Sequence, residues 1–323
     1  MTRKVLLLTL GLALICLIEA SAQSVEHTIP RDWGAISASL DRPSPDSDTA
    51  ILIIAGSGAT DRNGNSGASL KTDTYKMLSD ELVAEGFSVM RYDKRAIGLS
   101  IIPMEDVPNL TYDNYIDDAR ACVEYLRAKG FDRVFLAGHS EGGEIATILA
   151  TNNPDIVDGA ILLCAPGYPM DQILMTQLSA QLAPTYMGLM TSAESIIKTL
   201  KQGSRVDVAD IPNELIALFH PNVQPFLINC MEYDPAEYIA RCKVPMLIIS
   251  GGRDIQVSVD NGNRLHDANS KAQHVIFESM SHVLKDARSA DRMAQYYEVY
   301  INSSLPLTKG LTTTIAEFIN NLK

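Results

Sequence analysis

Leu136-Ala137-Gly138-His139-Ser140-Glu141-Gly142-Gly143 is the stretch whose reading decides the fold. The apolar, β-rich run Arg133 to Ala137 leads into it, and a helical pattern from Glu144 to Ala150 leads out. The bare Gly-x-Ser-x-Gly sequence is a weak signal in a chain with 20 glycines among 323 residues. Between a strand and a helix it becomes the setting of a nucleophile elbow. The turn is sharp enough that side chains two before and two after the serine collide, so Gly138 and Gly142 carry no Cβ. The serine is expected in a strained conformation at the start of a helix, whose N–H groups face any negative charge that develops beside it.

Working outward, Ala50 to Ala55 is fully apolar, as in a parallel strand covered on both faces, and empties into the glycine-rich loop Gly56 to Gly67. Before it, Val25 to Ile29 and Ala35 to Leu40 read as an antiparallel edge pair. After it, Asp73 to Glu85 reads as a helix stopped by Gly86, and Phe87 to Tyr92 as a strand. Tyr115, Ala119, Cys122, Val123 and Leu126 recur at helical spacing. Ala160 to Cys164, Val244 to Ser250 and Val275 to Phe277 supply further strands. Helices are expected over Val259 to Ala268 and Thr312 to Leu322. Alternating strands and helices predict a doubly wound, mostly parallel sheet whose ligands gather at the strands' carboxyl ends. Residues 23–167 and 242–323 form this core. Residues 168–241 carry helical patterns punctuated by Pro184, Pro212, Pro221 and Pro225 and read as an inserted helical lid over those ends. Its methionines (Met170, Met175, Met187, Met190, Met231) read as adaptable core, with an acyl-binding wall as the rival reading.

Residues 1–22 have the form of a secretory signal: Arg3 and Lys4, then an apolar run Val5 to Ile18, then Ala20-Ser21-Ala22. Cleavage after Ala22 leaves Gln23 first, in an exported, periplasmic or secreted protein. The alternative, acylation of Cys16, is opposed by the bulky Ile15 before it. No other stretch approaches membrane length. A net charge of −12 without clustered Lys or Arg argues against nucleic acid and anionic membranes as partners. Neither Cys-x-x-Cys nor His-x-x-x-His occurs, so no metal site is read. Cys122 and Cys164 read as buried thiols. Whether Cys230 and Cys242 pair depends on a distance that sequence does not give.

A serine hydroxyl needs a neighbouring base. Of six histidines, His27 precedes the sheet, His139 is in the elbow, His220 is in the insertion, His266 is on a helix and His274 begins a strand. His282 alone follows a strand, Val275 to Phe277, at its carboxyl end. An imidazole must be held in one tautomer by an acceptor, and Asp254 stands at the carboxyl end of the preceding strand. Ser140, Asp254, His282 is the chain order expected for this elbow. The oxyanion donors are expected to be the N–H of Glu141 and the N–H of Ser57, with Gly58 next. A nucleotide-phosphate reading of the glycine loop fails, because Asp61 stands where a third Gly is needed and no Gly-Lys-Ser/Thr occurs.

The loop Gly56 to Asn65 and the segment Arg91-Tyr92-Asp93-Lys94-Arg95 together resemble bacterial serine carboxylesterases of the α/β-hydrolase superfamily, whose loop reads Gly-Ser-Gly-Pro-Thr-Asp-Arg-Asp-Gly-Asn. Here Ala59 replaces Pro and Asn63 replaces Asp, and Ala96 stands where the family continues with Gly. The resemblance implies serine-esterase chemistry on short acyl esters, without fixing the acyl or alcohol group. Asp61 or Asp93 is expected to pair with Arg95 and brace the oxyanion loop.

The sequence therefore predicts a serine carboxylesterase acting on a small-molecule ester through an acyl-enzyme on Ser140, without cofactor. A peptidase with Glu232 or Glu237 as a terminus-binding subsite, an acyltransferase, and an inactive fold used for binding are the alternatives. Dehalogenase and epoxide-hydrolase chemistry need Asp in place of Ser140. Oligomeric state is not read from the sequence.

Overall fold

The computed structural model describes residues 23–182 and 186–322. The expected signal segment, Cys16 included, lies outside these residues. The central apolar run shows why it needs no polar face. Ala50, Leu52 and Ile54 point into one core and Ile51, Ile53 and Ala55 into the other. A strand with helices on both sides has no solvent side to mark with polar residues.

The strands are β1 (Gln23–Arg31), β2 (Gly34–Arg42), β3 (Thr49–Ile54), the short pair β4 (Asn65–Ser66) and β5 (Leu70–Lys71), β6 (Ser88–Tyr92), β7 (Arg133–His139), β8 (Gly159–Leu163), β9 (Met246–Gly251) and β10 (Gln273–Phe277). Eight form one sheet in the order β1-β2-β6-β3-β7-β8-β9-β10. β1 and β2 pair antiparallel at the edge, β2 joins β6 antiparallel, and every later pairing is parallel. The expected sheet is the observed one.

Helices α1 (Thr74–Ala84), α2 (Tyr112–Ala128) and α3 (Glu141–Asn152) follow β5, β6 and β7. Between β8 and β9 the chain runs through α4 (Met170–Gln181), α5 (Met187–Lys201), α6 (Ile216–Phe219), α7 (Gln224–Cys230) and α8 (Pro235–Ala240). Then come α9 (Val259–Ala268), α10 (Arg292–Gln295) and α11 (Leu311–Asn321), with one π-helical turn at Tyr296–Tyr300. Helices α2, α3 and α9 cover one face of the sheet, and α1 and α11 cover the other. The inserted helices build a core of their own from Leu174, Ile196, Leu200, Phe219 and Leu227. Met231 is buried there, and Met170, Met175 and Met190 pack against it. Met187 is exposed. Cys122 and Cys164 are buried, as expected, and Cys230 and Cys242 are both free thiols.

Backbone proximity decides which positions tolerate a side chain. A Cβ on Gly138 would lie 2.1 Å from the Gly142 carbonyl oxygen, and one on Gly142 would lie 2.2 Å from that of Ile54. Ala96 occupies φ +67°, the left-handed region that glycine adopts freely. A Cβ there costs roughly 1–2 kcal/mol. Gly142→Ala should therefore lower stability in denaturant unfolding by roughly 3 kcal/mol, because the backbone it meets at Ile54 and Ala55 cannot yield. Ala96→Gly should raise it by about 1 kcal/mol, less the entropy that glycine adds to the unfolded chain.

Candidate active site

The site grows from the end of β7. Ser140 sits at φ +53°, ψ −123°, between the last residue of β7 and the first of α3. Its N–H donates to the Leu163 carbonyl at 2.9 Å, and its carbonyl accepts from Gly143 N–H at 2.8 Å. These bonds hold a conformation that is otherwise unfavourable for a non-glycine residue.

His282 lies in a tight loop after β10. Ser281 N–H donates to the Lys285 carbonyl at 2.9 Å, and the Lys285 ammonium crosses to the carbonyls of Thr72 (2.7 Å) and Asn302 (2.9 Å). Burial pushes the Lys285 amine down to about 8. The His282 Nδ1–H donates to Asp254 Oδ2 at 2.7 Å. The other carboxylate oxygen accepts from the N–H groups of Gln256 (2.7 Å) and Val257 (2.8 Å). The Asp254 side chain is fully buried. A proton fixed on Nδ1 leaves Nε2 with a free lone pair, which is the form a general base requires.

Ser140 and His282 line one cavity of about 90 Å³ with Gly56, Ser57, Leu70, Tyr75, Gln256, Val283 and Tyr300. Ser140 Oγ is not hydrogen-bonded to His282 in this conformation, and such contacts commonly tighten only with substrate bound. The N–H groups of Ser57 and Glu141 find no acceptor among the described residues. A Cβ on Gly56 would lie 3.2 Å from Ser140 Cβ, so the loop after β3 runs directly against the elbow. Ser57 thus lines the cavity, Glu141 directly follows the strained Ser140, and an oriented imidazole stands on the cavity wall. Such an arrangement can stabilise a tetrahedral oxyanion.

The bracing of the oxyanion loop differs from the expectation. Arg95 turns toward α2 and pairs with buried Asp118 at 2.7 and 2.9 Å, under the face of Trp33. It meets neither Asp61 nor Asp93, whose carboxylates are taken by other donors. Asp93 instead takes Arg62, through both its backbone N–H and its guanidinium, at 2.9 Å each. Asp61 does brace the loop, by accepting from the N–H groups of Asn63 (2.8 Å) and Asn65 (3.0 Å). Glu232 and Glu237, the candidate peptide subsites, are exposed and do not line the cavity. No residue of the inserted helices lines it either, although Gln177 of α4 donates to the Gln256 carbonyl at its rim.

Cys164, Asp254 and His282 present a sulfur, an oxygen and a nitrogen within 4.8 Å of one another. The carboxylate is already committed to three N–H donors. Burial, with Asp254 alongside, keeps the Cys164 thiol protonated. The group therefore fits a hydrogen-bonded cluster better than a metal.

Sequence reading passed over Tyr75 and the role of His139. Gly56 N–H donates to the Tyr75 hydroxyl at 2.9 Å, and that hydroxyl lies 2.8 Å from His139 Nδ1. His139 Nε2–H must donate to the His282 carbonyl, 2.7 Å away, since a carbonyl only accepts. The proton order of the chain follows: the Tyr75 O–H donates to Nδ1. Its one sequence signal is that Tyr75 and His139 both flank glycine-rich turns.

Burial, and then the neighbouring His282, push His139 down to about 3, against an ordinary 6.5. The unfolded chain therefore binds a proton between pH 6.5 and about 3 that the folded chain refuses, and stability falls as pH is lowered through that window. Thermal unfolding at pH 7 and pH 4.5 should show this loss, and His139→Gln should make the decline shallower.

The chain is similar to several known proteins. Esterase EstD of Thermotoga maritima is 25% identical over 252 residues, covering 76% of this chain and 57% of its own length. The chain thus spans little more than half of that relative. A proline iminopeptidase of Saccharolobus solfataricus is 25% identical over 238 residues, covering 65% of this chain and 74% of its own. Among solved structures, Est1E of Butyrivibrio proteoclasticus, determined with ferulic acid bound, superposes with a TM-score of 0.61 at 18% identity. That match covers 92% of this chain and 98% of Est1E, and it shows the same fold. Residues 65–286 match the family model described as serine aminopeptidase, S33, and the chain belongs to that α/β-hydrolase family.

Proposed function

We propose that this protein is a carboxylesterase that hydrolyses short acyl esters through an acyl-enzyme on Ser140. The observation that carries the reading is the buried His282–Asp254 pair sharing a cavity wall with a serine held in elbow geometry. His282 Nε2 takes the Ser140 proton as Oγ attacks the ester carbonyl. The Ser57 and Glu141 N–H groups receive the oxyanion, and the alcohol leaves with the proton from His282. Water, deprotonated by the same imidazole, then attacks the acyl-enzyme and releases the acid. Asp254 keeps the ring oriented and stabilises the imidazolium.

A cavity of about 90 Å³ has room for a small acyl group but not a long chain. Its wall comes from the short β4–β5 hairpin, through Leu70, and from the π-helical turn, through Tyr300. A peptidase reading draws on the iminopeptidase relative, but among the described residues no carboxylate lines the cavity to receive a substrate's amino terminus. An acyltransferase would use the same acyl-enzyme with another acceptor than water. We infer further that residues 1–22 direct export, on the strength of their charged, apolar and small-residue order. Mass spectrometry of the mature chain should then find Gln23 first.

A fluorophosphonate probe should label Ser140, and Ser140→Ala should abolish both labelling and turnover of p-nitrophenyl acetate with little change in thermal unfolding. Asp254→Asn should lower kcat by roughly 10⁴-fold. In an acyl-length series, acetyl and butyryl esters should outrun octanoyl, and Tyr300→Ala should shift the preference to longer chains. Faster cleavage of aminoacyl amides than of esters would favour the peptidase reading, and an unlabelled Ser140 the binding-module one.

A further inference from the structure

Lys94 is the feature of the molecule that the chemistry described so far leaves unused. Its side chain is only 2% exposed. Burying an ammonium is costly unless acceptors are gathered around it, and the acceptors gathered here all belong to the catalytic loops. Nζ donates to the Gly56 carbonyl at 2.5 Å, lies 3.5 Å from Glu141 Oε1, and sits 5.4 Å from the centre of the Tyr115 ring. The other neighbour of the ammonium is the apolar ring of Tyr115, which offers it no further hydrogen-bond acceptor.

The Gly56 carbonyl and the Ser57 N–H belong to one trans peptide unit, so they point in opposite directions across one plane. Fixing the carbonyl fixes the N–H. The preceding peptide of the same residue is fixed as well, because Gly56 N–H donates to the Tyr75 hydroxyl. Both hands of Gly56 are thus held, one by an ammonium and one by a phenol. The same ammonium faces the carboxylate of Glu141, the residue whose own N–H is the second oxyanion donor.

Resting on the serine-hydrolase reading, we propose that Lys94 and Tyr75 are positioning residues that aim the Ser57 N–H at the oxyanion. Lys94 also polarises the Gly56–Ser57 peptide, which strengthens that N–H as a donor when negative charge develops. The ammonium never meets the substrate. It acts through the peptide it grips, and its effect belongs to the transition state rather than to substrate binding.

The test compares wild type, Lys94→Met and Tyr75→Phe. It reads kcat and KM on p-nitrophenyl acetate and inhibition by a boronic acid that forms a tetrahedral adduct with a serine. Both variants should lose about 10- to 100-fold in kcat with KM within about threefold of wild type. Boronic acid affinity should weaken by a matching factor. A folded Lys94→Met that keeps kcat within about twofold, or loses kcat with unaltered boronic acid affinity, overturns the proposal. If Lys94→Met does not fold, Tyr75→Phe decides, since it keeps the ring and removes only the hydroxyl; unchanged boronic acid affinity there overturns the proposal equally. A wild type that neither turns over esters nor reacts with fluorophosphonate overturns the esterase reading and this inference with it. An active, labelled wild type with indifferent variants overturns this inference alone.

Discussion

At Ser140 the chain reverses within one residue while three pieces of backbone pass each other at distances that exclude any side chain. Gly138 faces the carbonyl of Gly142, Gly142 faces the end of β3, and Gly143 meets the methyl of Ala165. Hydrogen is the only substituent that fits at these points. Because the sheet's central strand ends directly beneath the turn, the loop that follows it is brought against the serine. The position of the oxyanion loop is therefore a consequence of how closely β3, β7 and α3 approach.

The same closeness makes the surroundings expensive. Arg91 with Asp41, Arg62 with Asp93 and Arg95 with Asp118 are charge pairs buried around the β6 end of the sheet. Ion pairs of this kind contribute little net stability, since desolvation offsets the attraction, but leaving one partner alone is strongly unfavourable. Their geometric effect is the more useful one. Each forked guanidinium ties two segments into one arrangement, so the loop from Gly56 to Asn65 has few alternatives. On the other side of the turn, Gly56, Tyr75, His139 and His282 share one directed chain of hydrogen bonds, and burial keeps His139 neutral so that the direction persists. Glu144, on the elbow helix, is the contrasting case. Both its carboxylate oxygens lack partners, and burial, with Glu141 nearby, raises it well above the usual carboxylate range. It is held as a neutral acid, which is how a protein tolerates an unpaired carboxyl in its interior.

The insertion between β8 and β9 is built differently from the core it joins. It has its own apolar cluster, bridged to the main one through Met170 and Phe226. Among the described residues it reaches the rim of the site through Gln177, which donates to the Gln256 carbonyl. Part of the cavity wall is supplied instead by chain that follows His282, where the π-helical turn brings Tyr300 to a hydrogen bond with Gln256 at 2.8 Å.

The sheet, its order of alternation, the elbow and the candidates Ser140, Asp254 and His282 were legible in the sequence, because each depends on local rules. Fully apolar runs mark strands covered on both faces, glycine marks contacts without room, and a polar residue just past a strand marks its carboxyl end. Partners joined over long separations were not legible. Arg95 was expected to meet Asp61 or Asp93 and found Asp118, and the free thiols of Cys230 and Cys242 were equally open. Sequence could place Lys94 in the polar segment just past β6 but not show that it turns inward to the Gly56 carbonyl. Composition and spacing determine which elements form and which ends they offer. Which side chains then meet is decided by packing, since only the assembled sheet sets which buried charge lies within reach of which acceptor.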